Sequence, residues 1–267
     1  MTGLPGRTLA AMEPSGSRRT SWTTAPAAEV YERARPGYAE AAVDFALAPV
    51  RDRPDRRALD LGAGTGKLTR QLVARRLPTV AVEPAAGMLA ALARAVRSAD
   101  VVAGSAEALP LTADSVDVVL AGQAFHWFDP DRALPEIARV LRPGGVLALL
   151  YNSRDDGVAW VRALSDLVGE LDKGDYVSRM PTERPPDLGA GLAFDAELRT
   201  PHEHELDLAG LVDLVASRSY VIRLPAGERA ELLDRVTELA RSHPQLVGRQ
   251  HFWMPYLTSV QRYELRS

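Results

Sequence analysis

The stretch Ala58-Leu59-Asp60-Leu61-Gly62-Ala63-Gly64-Thr65-Gly66 decides the fold. Its first four residues form a short apolar run that ends in glycine, as a buried parallel strand does. The residues after it, Thr65 to Arg76, place Leu68, Leu72 and Val73 on one face and predict a helix. A glycine-rich turn between a buried strand and a helix lets the backbone come close to a ligand and exposes the unpaired N–H groups of a helix start.

Working outward, the same alternation repeats. TVAVE (79–83), DVVAG (100–104), VDVVLA (116–121) and VLALLY (146–151) read as further strands. Ala86 to Val96 and Asp129 to Leu141 read as the intervening helices, the second begun by a capping Asp129 with Pro130 in its first turn. Pro143-Gly144-Gly145 is expected to end that unit. Strict strand–helix alternation implies a parallel sheet with helices on both faces. Upstream, a short helix around Val30 and Tyr31 and a second from Tyr38 to Ala48 flank a break at Pro36-Gly37. Downstream, Val158 to Leu171 looks helical, 172–193 reads as a long loop, and Phe194 to Leu206 suits a strand. Helices near 208–217 and 226–242 follow, and HFWMPYLTSVQRYEL supplies a last strand.

The expectation is an α/β, Rossmann-like, seven-stranded, mostly parallel sheet with a helical cap and an insert. Residues 1–24 read as a disordered segment, rich in Gly, Pro, Ser and Thr. Residues 25–267 read as one domain: cap 25–48, core 57–151, substrate-side insert and lid 152–250, closing strand 251–267.

Composition limits the function. Of 267 residues, 46% are apolar and 25% charged, and the net charge is −3. No basic excess points to nucleic acid. There is no cysteine, which excludes disulfides and thiolate metal sites. No apolar run approaches the roughly 20 residues that span a bilayer. Arg7, Arg18 and Arg19 are not followed by an apolar core, so a signal peptide is not expected and the protein reads as cytoplasmic.

Two nucleotide-type readings of the glycine turn compete. A dinucleotide fingerprint started at Gly62 needs glycine at 67, where the chain has Lys67. The spacing found is D-x-G-x-G-x-G. It resembles motif I of the class I S-adenosylmethionine-dependent methyltransferases, and the chain looks like the branch that includes trans-aconitate methyltransferase-like proteins. YERARPGY (31–38) resembles that family's N-terminal cap. VEPAAGML (82–89) resembles its ribose- and adenine-binding segment, GSAEALPL (104–111) its adenine loop, and AFHWFDPDRALPEIARVLRPGG (124–145) the segment after its fourth strand.

The resemblance implies S-adenosylmethionine as cofactor, S-adenosylhomocysteine as product, and no metal. It implies that Gly62, Gly64 and Gly66 form the cofactor loop, with Asp60 beside it. Glu83 would hold the ribose, Met88 would pack on adenine, and Ala106 would offer it a backbone contact. Tyr31, Ser105, Glu107 and Gln123 complete the expected cofactor shell. Ser105 stands where the family commonly has Asp; its hydroxyl is a weaker, uncharged acceptor. Asp60 also reads as a carboxylate that orients loop and helix, Met88 as core filler, and Asp117 as structural.

Gln123-Ala124-Phe125-His126-Trp127-Phe128 lies just past the fourth strand, at the edge where open α/β sheets bind ligands. His126 is the candidate base, since an unperturbed imidazole titrates near neutrality. The other reading makes His126, Trp127 and Phe128 walls of a substrate pocket shared with Tyr38. The leading expectation is in-line methyl transfer to an oxygen or nitrogen of a small molecule, a carboxylate being one acceptor. No nucleic acid or membrane partner is expected, and the oligomeric state is not readable. A non-catalytic cofactor-binding protein and a macromolecule methyltransferase are the alternatives.

Overall fold

The computed structural model describes residues 25–169 and 187–266. The segment 1–24 and most of the expected loop 172–193 lie outside the described residues. Seven strands form one sheet in the order β3-β2-β1-β4-β5-β7-β6. They are β1 (Ala58–Leu61), β2 (Thr79–Glu83), β3 (Asp100–Ala103), β4 (Val116–Gly122), β5 (Leu141–Arg154), β6 (Leu192–Leu206) and β7 (Phe252–Leu265). Strands β1 to β5 pair in parallel; β7 runs antiparallel to both β5 and β6. The expected α/β sheet is therefore present.

The helices are α1 (Ala25–Ala34), α2 (Glu40–Leu47), α3 (Lys67–Ala74), α4 (Ala86–Ala95), α5 (Pro130–Val140), α6 (Ala159–Val168), α7 (Leu208–Ala216), α8 (Ser219–Ile222) and α9 (Ala226–Ser242). No helix among the described residues is long and apolar enough to cross a membrane.

Strand periodicity sorts the core into layers. Leu59, Leu61, Val80, Val82, Leu147 and Leu149 face α5, where Ala133, Leu134 and Ile137 meet them. Ala58, Val118, Leu120, Ala148 and Leu150 face the opposite side, against Val43 and Ala46 of α2 and Leu68 and Leu72 of α3. A third cluster joins α6, α7 and α9 to Phe252, Met254 and Tyr256 of β7. The stretch expected as a substrate-side insert thus contributes the edge strand β6 as well as helices.

Two boundaries differ from expectation. Helix α3 starts at Lys67, not Thr65, because Gly66 before it is left-handed (φ 91°) and holds Thr65 in the turn. Pro143-Gly144-Gly145 does not stop the chain ahead of β5. The strand already begins at Leu141, opposite Val116, and the register slips before Val118 pairs with Val146, with Gly144 at φ 68°. Glycine in that conformation makes a bulge rather than a break. Asp117 is structural, as expected: its carboxylate accepts from the Arg57 amide (2.9 Å) and pairs with Arg142 (2.7 Å).

The same period-2 rule turns Asp60 towards α3. Its buried carboxylate accepts a 2.6 Å hydrogen bond from Thr69. Burial raises its pKa to about 7, against the pull of that bond, and the Glu83 charge adds to the rise. In the unfolded chain an aspartate ionises near pH 4. Between these values the folded protein holds the extra proton, so stability falls as pH rises from about 4 to about 7. Asp60→Asn removes that loss. Its stability relative to wild type, measured by urea unfolding, should climb across this window; a pH-independent difference would contradict the account.

Gly66 packs under α4. A Cβ there would lie 2.5 Å from Leu92 Cδ1 and 3.1 Å from Val96 Cγ2, at a φ that L residues avoid. Gly66→Ala should lose roughly 1–3 kcal/mol of stability. Denaturant unfolding measures it, and an unchanged midpoint would refute the packing role.

Candidate functional site

The parallel strands deliver their carboxyl ends to one edge, the place where such sheets bind ligands. At that edge the turn after β1 carries three left-handed glycines: Gly62 (φ 71°), Gly64 (φ 58°) and Gly66 (φ 91°). They do different work. A Cβ on Gly62 would strike Ala124 Cβ at 2.6 Å, so this glycine packs the turn against the segment after β4. Gly66 packs on α4, as above. Only around Gly64 would a Cβ meet nothing within 4 Å. Of the three, Gly64 is thus the one whose Cβ position is open.

Glu83, at the end of β2, is buried and spans this turn and the next helix. Its Oε2 accepts from the Gly64 amide (2.9 Å) and its Oε1 from the Ala85 amide (2.8 Å), ahead of α4. Thr65 Oγ1, in the same turn, is buried with no hydrogen-bond partner. The open space at Gly64, the buried acid and this unpaired hydroxyl suit a ligand with hydroxyl and amine groups, and a nucleoside joined to an amino acid has both.

Met88 and Ala91 of α4 meet Ala28 and Tyr31 of α1 in a small apolar cluster, so the cap reaches the helix that follows β2. Ser105 and Ala106 follow β3. The Ser105 carbonyl accepts from the Ala108 amide (3.2 Å), and Ala106 is buried. Glu107 Oε1 accepts from the Asp129 amide (3.0 Å) at the start of α5, an amide that needs an acceptor.

Gln123 sits at φ 54°, strained for a residue with a side chain, directly after β4. Its Nε2 donates to the Asn152 carbonyl (2.9 Å). Asn152, which sequence reasoning missed, continues the network. It donates to the Gly37 carbonyl (2.7 Å) and accepts from Thr258 (2.6 Å), so one buried amide ties the cap to β5 and β7. A lone Asn ending the apolar run VLALLY was the available signal. Gln71 of α3 was missed too. It accepts from the Tyr38 amide (3.0 Å) and donates to the Tyr38 carbonyl (2.7 Å).

Tyr38 is buried with its hydroxyl over Gly122, where a Cβ would lie 2.4 Å from that oxygen. Burial raises its phenol well above the usual value, with Tyr31, Asp60 and Tyr151 adding to the rise and Arg35 opposing it. A single 3-10 turn, Phe125–Trp127, holds His126 beside Trp127 (ring centroids 4.9 Å) and Tyr151 (6.2 Å). Its Nδ1 is buried without a partner. Burial pushes the imidazole down to about 4, which corrects the expectation of a group titrating near neutrality. Phe128 has its ring edge 3.6 Å from the position of a Gly62 Cβ and packs on the core, so it supports the glycine turn. Among the described residues no group of His, Asp and Glu could hold a metal ion.

Comparison with known proteins bears on this geometry. A family model described as a methyltransferase domain matches residues 59–149, from β1 into β5. A methyltransferase of Mycobacterium tuberculosis, itself uncharacterized, is 43% identical over 247 residues, covering 90% of this chain and 95% of its own. The malonyl-[acyl-carrier protein] O-methyltransferase of Methylococcus capsulatus is 49% identical over 102 residues, only 36% of this chain and 37% of that one. A solved structure described as a type II methyltransferase from Anaeromyxobacter dehalogenans superposes with a TM-score of 0.59 at 23% identity, covering 87% of this chain and 98% of that one. That last likeness concerns the fold alone. With a relative alike along nearly its whole length and a matching domain across the glycine turn and the strand ends, the chain belongs to the class I S-adenosylmethionine-dependent methyltransferases and is an enzyme of that class.

Proposed function

We propose that the protein methylates a small molecule on an oxygen or nitrogen. The observation that carries this reading is the roof over the strand ends. Helix α1 reaches α4 through Tyr31 and Met88. It reaches α7 through Arg33–Asp213 (2.6 Å) and Arg35–Ser217 (2.8 Å). Gly37 is held by Asn152. Such a cover favours a compact acceptor over a polymer. The relative named an O-methyltransferase supports an oxygen acceptor.

Gly64, Thr65, Glu83, Met88, Ser105 and Ala106 are the residues we assign to the cofactor. Glu83, whose two oxygens accept from the Gly64 and Ala85 amides, we assign to the ribose hydroxyls, which a carboxylate can accept from as well. The cofactor supplies a methyl group already activated on a sulfonium. The chain's own work is alignment and exclusion of water. His126 we assign to the wall. A base with a pKa near 4 is neutral at physiological pH but has little drive to take a proton.

Gly64→Val fills the open space beside the turn and should abolish S-adenosylhomocysteine binding in calorimetry, with circular dichroism as the folding control. Glu83→Gln should weaken it by roughly 10-fold or more, since hydrogen bonds to a charged group contribute about 1.5–3 kcal/mol. Wild-type affinity in either folded variant would place the cofactor elsewhere.

His126→Gln should change kcat by less than about 10-fold, measured with an acceptor found by screening carboxylates, phenols and amines. The wild-type rate should show no step across the ordinary imidazole range. A loss of about 100-fold or more with cofactor affinity intact would restore His126 as the base.

A further inference from the structure

The two faces of β7 differ in chemistry. Side chains alternate along a strand. Phe252, Met254 and Tyr256 point to the cluster with α6, α7 and α9, and Val260 to the layer with α2 and α3. The odd-numbered side chains face the other way, with Tyr263 in the layer that holds Leu147, Leu149 and Tyr151 of β5. That face shelves from buried to open along the strand. Gln261 and Ser259 are buried (3% and 7% exposed), Leu257 is 40% exposed and Trp253 54%. Among the described residues, Val247 is the one other large apolar side chain so exposed. Exposed apolar surface that continues from a buried polar patch marks a binding face.

The buried half of the shelf is polar and unsatisfied. Register sets Ser259 opposite Tyr151 and Leu257 opposite Ser153, and such cross-strand partners lie about 4.5–5.5 Å apart. The Tyr151 ring centre is in turn 6.2 Å from that of His126. Ser153 Oγ, Ser259 Oγ, Gln261 Nε2 and His126 Nδ1 are all buried without a hydrogen-bond partner. The Tyr263 hydroxyl donates to Gln261 Oε1 (3.2 Å), so the amide keeps Nε2 as its unused donor. Each orphan is costly until a polar group meets it. None of these groups is charged. Burial keeps the imidazole neutral, and Arg199, opposite Ser259 on β6, is already paired with Glu197 (2.7 Å).

We infer, on the small-molecule methyl-transfer reading, that this face of β7 binds the acceptor and takes an amphipathic molecule with an uncharged polar head and an apolar tail. The head meets Ser153, Ser259 and Gln261, beside Tyr151 and His126. The tail runs out over Leu257, Pro255 and Trp253. A strand rises about 3.3 Å per residue, so the path from Ser259 to Trp253 is roughly 20 Å long. The cap does not compete for this floor. Helix α2 lies against the opposite face, where the Arg262 guanidinium sits 4.4 Å over the Phe45 ring. An ionic head would give up its water for neutral partners, which is unfavourable.

The full chain, saturated with S-adenosylhomocysteine, is titrated by calorimetry with 1-butanol, 1-hexanol and 1-octanol, and with octanoate and octylammonium. Octanol should bind roughly 10-fold more tightly than either ion. Each added methylene should tighten the alcohols by about two- to fourfold. Trp253→Ser and Leu257→Ser, at exposed positions, should each weaken octanol several-fold and leave S-adenosylhomocysteine affinity unchanged. Ser259→Ala should weaken octanol while its unfolding midpoint holds or rises, because the hydroxyl bonds nothing in the free protein. A serine with a merely structural role would do the reverse. Octanoate binding as tightly as octanol, an affinity flat with chain length, or Trp253 and Leu257 variants that bind like wild type would each overturn the assignment. So would a concentration-dependent dimer in sedimentation that Trp253→Ser dissolves, since the face would then belong to a second copy. Should S-adenosylhomocysteine itself not bind, the methyl-transfer reading falls, and the same titrations on the unloaded chain still decide whether the face takes amphiphiles.

Discussion

The hydrogen bond from the Gly64 amide to Glu83 is the constraint on which the site is built. It crosses from the turn after β1 to the end of β2 and fixes, over 2.9 Å, two chain segments 19 residues apart. The turn can reach that carboxylate only because three glycines around it take left-handed backbone. Two of them also let the turn sink against Ala124 and Leu92, where no side chain fits. With those approaches made, the third is left facing open space. Packing on either side therefore leaves Gly64 with open space at its Cβ position, and the acid that holds its amide is buried.

Most of the fold was legible because its signals are local. The apolar runs ALDL, TVAVE and VDVVLA stop at glycine or acid, and each became a strand ending at the same edge. The Asp129-Pro130 helix start was equally plain, since Asp129 caps through its own side chain. Misreadings arose where tertiary contact overrules local pattern. Pro143-Gly144-Gly145 looks like a stop, but pairing with β4 carries the chain through as a bulged strand. Helix α8 covers only four residues, too few for a periodic signal.

The site was legible in its acids and glycines and opaque in its fasteners. Glu83 and Gly64 sit in a recognisable order along the chain. Asn152 acts through Gly37 and Thr258, 115 and 106 positions away, and no local pattern encodes such a partnership. Glu107 likewise makes a contact that no motif announces: one of its oxygens accepts from the Asp129 amide at the start of α5. His126 could be placed near the edge from sequence, but its proton affinity depends on burial, which only the packed turn decides.

The sheet order has one further consequence. It puts β6, a strand of 15 residues, at an outer margin with β7 as its single neighbour. Backbone groups along such a margin invite a strand from another molecule and so favour aggregation. The sequence of β6 answers this with Asp195, Glu197, Arg199, Pro201, Glu203 and Glu205. Pro201 withholds one amide from any newcomer, and the charges would have to be stripped of water to admit it. The opposite margin, β3, is only four residues long and offers little to pair with. The two margins thus guard against fibre-like stacking by different means, one by chemistry and the other by brevity.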